Sequence, residues 1–411
     1  MKEFFKVTDL ETARAWPSIF PQMEKEVQPL DKVLGRVLGH DIHSDINLPD
    51  FPRAIMDGYA VKAVSTFGAS DGNPAYLNVV DHIAMGTAPT KSIKPGEAAK
   101  ISTGGMLPKG TDSVVMVEHT DAIDDITIEV YRSVAPGQHM IQIGEDLQAN
   151  QVVLSKGQKL RPQEIGILAA LGIEAVSVYR HPVVAILSTG DEIVAVTDTP
   201  EPGQIRDINS YTLAGQVIQA GCQPMVMGIV RDDFNALDHM CRAATEQADI
   251  IFVSGGSSVG MRDYTIEVLE NLPDSEILAH GISISPGKPT ILARVGQKFF
   301  CGLPGHVASA MVVFHMVVRP FLEYIGGRNP DFNRPRICYA RLQRNLASKQ
   351  GRVDCIRVRL LQEGDQLSAK PVLGKSGLIR TMIEADGLVC IDKNTEGLDK
   401  GSVVAVHLLP S

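Results

Sequence analysis

The sequence predicts a multidomain protein of mixed α/β and β class, built on a doubly wound α/β domain with β-rich pieces before and after it. Three observations carry that expectation. A chain of 411 residues exceeds one ordinary domain and argues for two to four. Three apolar stretches run straight into glycine-rich turns: residues 183–187 into Ser188-Thr189-Gly190-Asp191-Glu192, residues 250–253 into Ser254-Gly255-Gly256-Ser257-Ser258-Val259-Gly260, and residues 299–301 into Gly302-Leu303-Pro304-Gly305. Strand and helix periodicities alternate through that region, whereas the last seventy-odd residues show only short alternating strands.

Taken in order, helical text runs from 8 to 38. It gives way at Leu48-Pro49-Asp50-Phe51-Pro52 to short strands with many Gly and Pro, and helix returns at 162–171. An inserted β-rich domain, 47–140, within an elongated region made of 1–46 and 141–181 accounts for this pattern. The α/β domain, 182–325, reads strand 183–188, helix near 210–221, strand 224–230, helix 234–246, strand 249–254, helix 263–271, strand 298–302 and helix 306–322. Gly326-Gly327-Arg328-Asn329-Pro330 is the clearest linker. Beyond it, 331–411 forms a C-terminal β domain, a small barrel or sandwich, with strands such as 353–360 and 402–408.

Composition narrows the partners. A net charge of −9 without a Lys/Arg run argues against nucleic acid. The first residues lack the apolar core of a signal peptide, and the apolar helix at 307–318 is interrupted by His315 and Arg319, short of a membrane span. Six cysteines without a C-x-x-C pair read as buried reduced thiols, so the expected location is cytoplasmic.

The three turns define the expected chemistry. In an open parallel sheet, the edge where strands open onto helices collects backbone N–H groups and helix N-termini, which attract anions. The spacing from Gly255 to Gly260 is that of a P-loop, but Met261 stands where Lys is required, and no G-x-G-x-x-G follows a strand. What remains is anion binding by backbone and hydroxyls beside Asp191, Glu192, Asp232, Asp233 and Asp263. Carboxylates beside a phosphate imply a bridging divalent cation, most often Mg²⁺.

An ordered set of motifs resembles the molybdopterin molybdenumtransferases, the family of MoeA and the gephyrin E domain. They are Ala54-Ile55-Met56-Asp57-Gly58-Tyr59-Ala60-Val61, Ser102-Thr103-Gly104-Gly105, Gly144-Glu145-Asp146, the 188–192 turn, Arg231-Asp232-Asp233, the 254–264 segment, Pro286-Gly287-Lys288-Pro289, the 302–305 turn, and Gly374-Lys375-Ser376-Gly377 with Ala385-Asp386-Gly387. The resemblance implies a MogA-like α/β domain, a homodimer, and Mg²⁺-dependent insertion of molybdate into adenylated molybdopterin with release of AMP. It also implies contact with other cofactor-biosynthesis proteins and recipient apo-molybdoenzymes.

On that reading Glu192, Asp232 and Asp263 handle metal or oxyanion, and Lys288 supplies positive charge. Ser188, Thr189, Gly190, Asp191, Ser254, Gly255, Gly256, Ser258, Pro286, Gly287, Gly302, Pro304 and Gly305 hold the pterin phosphate. Asp57 and Thr103 complete the cleft from the other subunit. Each assignment has a plain structural rival: hydroxyls before helices cap N–H groups, and Asp232-Asp233 also reads as a turn and cap in which one of the two faces the site. The chain departs from the family at Met140-Ile141-Gln142-Ile143 and at Ser285, where basic residues are usual, and at His306-Val307, which lacks a second proline. Those losses weaken an anion site, with Arg206 or Arg262 as substitutes, and leave open tungstate selectivity, molybdopterin adenylylation, or a non-catalytic molybdopterin-binding scaffold.

Overall fold

Repeated breakers make the N-terminal stretch extended where 8–38 was expected to be helical. Helix α1 (Leu10–Arg14) stops after five residues. Pro17, Pro21 and Pro29 then remove the N–H groups a continuing helix needs. After a single 3-10 turn, Lys25–Pro29 forms strand β1, which pairs antiparallel with β2 (Ala175–Tyr179) from Lys25 opposite Tyr179 to Pro29 opposite Ala175. The computed structural model describes residues 7–255, 264–332 and 336–410. They form two compact units: Met1–His40 with Lys156–Gly166 and Glu174–Ser411, and Asp41–Ser155 with Ile167–Ile173.

The first unit is organised by a six-stranded sheet. Its strands are β3 (Val183–Thr189), β4 (Gln223–Val230), β5 (Ile250–Ser254), β6 (Ser275–His280), β7 (Ile291–Val295) and β8 (Lys298–Leu303), in the order β4-β3-β5-β8-β7-β6. The first four in that order are parallel. Successive side chains of a strand point to opposite faces, so β3 feeds two cores. Val184 and Ile186 pack with Leu213 and Val217 of helix α2 (Asn209–Gln219), while Ala185 and Leu187 pack with Leu237, Cys241 and Ala244 of α3 (Phe234–Gln247) and Val268 of α4 (Tyr264–Asn271). That is the doubly wound arrangement. The expected strand pattern omitted β6 and β7, which pair antiparallel with each other, while β7 also pairs antiparallel with β8, giving the sheet a mixed edge. Their text is short and follows a helix directly, so it read as connection.

The helix after β8 runs from Val307 to Ile325: α5 (Val307–Val313), a π turn at Phe314–Val318, and α6 (Arg319–Ile325). Among the described residues it is the one helix long and apolar enough to cross a membrane, and 72% of its most apolar window is buried within the protein. His315 lies in the π turn. Burial first, then Arg319, His407 and Arg14, hold its pKa down at about 4 from 6.5. Between those values the unfolded chain binds the proton and the folded chain does not. His315 therefore favours folding fully above pH 6.5, and the contribution is lost as pH falls towards 4, on the order of 2–3 kcal/mol. In His315→Gln the urea midpoint should fall less between pH 7 and pH 5 than in the unmodified protein.

The C-terminal strands β9 (Ile337–Leu342), β10 (Val353–Glu363), β11 (Gln366–Pro371), β12 (Gly387–Ile391) and β13 (Val403–Leu408) run β10-β11-β9-β13-β12, and β12 pairs back onto β10. Closure removes free edges and makes this piece a barrel rather than a sandwich. Ala340, Leu342, Val358, Ala369, Val389 and Val406 fill it. Among the cysteines, Cys222, Cys241, Cys301 and Cys355 are buried. Burial pushes the Cys222 and Cys241 thiols up to about 12, which leaves them as packing groups.

The second unit has its own six-stranded sheet, in the order Ser113–Met116, Gly58–Val61, Glu97–Ile101, Ala75–Ile83, Thr127–Val130, Thr120–Ala122. Tyr59, Val61, Leu77 and Val115 pack on one face, Ala60, Ile83, Ala99 and Val114 on the other. Ile42–His43 pairs with Val152–Leu154 inside this unit, so it extends beyond 47–140 on both sides.

Candidate active site

The three glycine-rich turns meet at the C-terminal edge of the parallel strands, and the start of α2 ties them together. The Asn209 side-chain amide donates to Ser254 Oγ at 2.7 Å and to the Gly305 carbonyl at 2.8 Å. Ser188 Oγ donates to Asp207 Oδ1 at 3.0 Å and lies 3.1 Å from Ser210 Oγ, while the Ser210 N–H donates to the same Asp207 oxygen at 3.0 Å. One buried polar cluster thus joins the ends of β3, β5 and β8. The hydroxyls of Ser188 and Ser254, expected to hold phosphate, are 0% and 1% exposed and engaged internally. They position the turns.

Backbone packing shapes a cradle free of side chains between the turns. Gly255 has φ +111°, and a Cβ there would stand 2.1 Å from the Thr189 carbonyl oxygen. Gly305 lies beside it, its own Cβ position in ordinary contact at 3.6 Å from Gly255 Cα. Only a residue without a side chain lets the Gly255 segment touch Thr189. Gly305 is exposed, whereas Gly302 and Pro304 are buried and Gly302 packs on Ile291.

Carboxylates border the cradle. Thr189 Oγ1 donates to Asp232 Oδ1 at 2.7 Å, and the Asp232 N–H donates to Asp191 Oδ1 at 3.3 Å, so Asp191 and Asp232 converge. Asp233 instead accepts the Ala236 N–H at 2.9 Å as the N-cap of α3, which separates the roles of the adjacent pair. The Glu192 carboxylate folds against Gly190, 2.7 Å from where a Cβ would stand. Gly256, Ser258, Arg262 and Asp263 lie outside the described residues. Among those described, no group of three or more His, Cys, Asp or Glu is placed to hold a metal ion. The donor set does suit Mg²⁺, which keeps several waters and typically takes one or two carboxylates together with substrate phosphates.

Gly287, at φ +120°, presses on α5, where a Cβ would stand 2.2 Å from Val313 Cγ2, and its carbonyl accepts the Thr290 hydroxyl at 2.7 Å. That anchors the half-buried Pro286 and presents Lys288 on an exposed loop. Arg206 Nε donates to the carbonyls of Val196 and Asp198, both at 3.1 Å. Within the same unit, Ser376 meets the first turn of α5: its hydroxyl lies 3.0 Å from His306 Nδ1 and its carbonyl accepts the Ala308 N–H at 3.0 Å. In the second unit, Asp57 Oδ1 accepts both the N–H of Thr103 at 2.7 Å and its hydroxyl at 3.1 Å, making one exposed pair.

Sequence reasoning missed Asp207, Asn209 and Ser210. Their signal was present as an Asp-x-Asn-Ser run at a helix start, a cap pattern whose side chains here reach across three strands.

Three family models match the chain in order. The MoeA N-terminal region, domains I and II, matches residues 8–172, the probable molybdopterin binding domain 185–324, and the MoeA C-terminal region, domain IV, 339–409. A putative molybdopterin biosynthesis protein of Methanocaldococcus jannaschii is 37% identical, covering 94% of this chain and 93% of its own. The molybdopterin molybdenumtransferase of Bacillus subtilis is 32% identical, covering 94% and 90%. A crystal structure of the molybdopterin biosynthesis MoeA protein of Pyrococcus horikoshii superposes with a TM-score of 0.84 at 30% identity, over 98% of this chain and all of that one. The chain is thus a member of the MoeA family of molybdenum cofactor biosynthesis proteins, several of whose curated members are named molybdopterin molybdenumtransferase.

Proposed function

We propose that this protein inserts molybdate into adenylated molybdopterin with Mg²⁺ and releases AMP. The observation that carries the reading is the junction of the three turn-bearing strand ends, two through Asn209 and the third through Asp207 and Ser210, with the Asp191 carboxylate accepting the Asp232 N–H beside it. The exposed Gly305 turn receives the pterin phosphate, while Gly190 and Gly255, whose N–H groups donate to the Val230 and Leu303 carbonyls, keep its approach free of side chains. Lys288, on its anchored loop, supplies positive charge for the oxyanion. Thr189 fixes the rotamer of Asp232 through its 2.7 Å hydrogen bond and so orients that carboxylate. Asp191 and Asp232 would hold Mg²⁺, which when bound neutralises charge developing on the phosphoryl oxygens. Asp57 and Thr103 act as a second constellation, brought to the site by a partner subunit in a cytoplasmic homodimer. The product passes to apo-molybdoenzymes, and tungstate is an alternative oxyanion.

AMP release from adenylated molybdopterin, measured with and without molybdate and with and without Mg²⁺, tests this. Release that needs both is expected. Asp232→Asn should lower the rate about 100-fold, as loss of a charged group acting at the reacting phosphate typically does, while leaving thermal stability nearly unchanged. Full activity in that variant would remove Asp232 from the site.

A further inference from the structure

At the opposite edge of the same sheet, where β3 and β4 begin, the first unit carries a small recess open in part to solvent. Arg36, Lys159, Arg180, His181 and Arg328 line it against one carboxylate, Glu323. β3 spans seven residues, so roughly 20 Å of strand separates this recess from the glycine-rich turns. In a chain of net charge −9, such a concentration of cations calls for a counter-charge.

The protein supplies part of it. Arg180 grips Asp249 with two hydrogen bonds of 2.8 and 2.9 Å. Arg36 donates to Glu26 and to the Tyr179 carbonyl. Arg328 and Arg319 share Glu323 at 2.7 and 2.9 Å. With Glu24 near Arg180 and Arg336 near Lys159 included, four carboxylates face six cations, an excess of two. The C-terminal ends of α2 and α6 also face this edge, with about half a negative charge each, and offset less than that excess.

The donors are incompletely used as well. Arg36 is 7% exposed, and it and Arg328 each keep a buried Nε without a partner. Lys159 is half-buried with no hydrogen-bonded or ion-paired partner among the described residues. Burial first, then Arg328, holds its pKa below the usual lysine range, with Glu323 opposing. The imidazole of His181 is engaged with the Gly221 carbonyl at 2.6 Å and contributes no compensating charge.

We propose that this recess is a binding site for a small tetrahedral oxyanion of the phosphate, sulfate or molybdate class, centred on Lys159 and flanked by Arg36 and Arg328. The site is distinct from the glycine-rich turns, and its existence does not depend on the proposed reaction.

Thermal unfolding of the full chain and of Lys159→Met, in chloride and in inorganic phosphate at matched ionic strength, tests it alongside crystals soaked in selenate. In chloride, Lys159→Met should unfold at or above the temperature of the unmodified protein, because a repelled, half-buried cation is gone. Phosphate should raise the unmodified protein by about 2 °C and the variant by less than half as much. Selenium should scatter anomalously from the recess in the unmodified protein and not in the variant. Glycerol phosphate as a further arm separates sources: a gain like that from phosphate assigns a phosphomonoester, and no gain assigns the free oxyanion. An empty recess in selenate-soaked crystals of the unmodified protein, or an equal phosphate gain in both proteins, overturns the proposal.

Discussion

Gly255→Ala should be the most damaging single-methyl change in the α/β domain. The residue sits at φ +111°, where an L side chain costs of order 1–2 kcal/mol on its own. The new Cβ would also stand 2.1 Å from the Thr189 carbonyl oxygen, a backbone atom that cannot rotate away. Relief requires β5 and β3 to part at their ends, which also displaces Gly305. We expect a loss of more than about 3 kcal/mol, together with loss of AMP release beyond 100-fold. Chemical denaturation and the AMP assay read the two effects separately. A variant that kept both stability and activity would show that the turns do not touch as described.

Asn209→Ala ranks second. Asn209 is 7% exposed, and among the described residues its amide is the single side-chain group that bonds both Ser254 and the Gly305 carbonyl. Truncation leaves a buried hydroxyl and a carbonyl each short of a partner, at about 1–3 kcal/mol apiece before relaxation. Loss of the Asn209 Oδ1 atom, itself buried without a partner, returns a fraction. The net expectation is about 2–3 kcal/mol of stability and a 10- to 100-fold fall in kcat/KM, since the turns lose their common tether. A fall in activity with unchanged stability would instead make Asn209 a ligand-contacting group.

The contrast between these residues and the sequence reading is physical. The strands at 183–189, 250–254 and 298–303 were visible because apolar runs ending in glycine have few other uses, and the closing barrel strands because their alternation is strict. The strand at 25–29 was hidden among helix-permissive residues, and its identity depends on pairing with residues about 150 positions away. The hydroxyls of Ser188 and Ser254 look the same in sequence whether they face a ligand or a buried Asp207 or Asn209. Only packing decides between the two. Asp191 gained a partner in Asp232 through a backbone N–H, a contact that no spacing rule encodes.

The interruption of the first unit has a consequence for the order of assembly during synthesis. β1 is made early but has no partner until residue 175 has been added, after the whole of Asp41–Ser155. Closing a flexible loop of about 145 residues costs roughly 4 kcal/mol in chain entropy, and a loop of about 30 residues roughly 3. Because Ile42 pairs with Leu154, the folded insert brings its two ends side by side. Folding of the insert therefore shortens the effective path between β1 and β2 about four- to fivefold. The second unit acts as a clamp that its host must wait for, and a lesion that slows the insert should delay the host domain even when every residue of the host is intact.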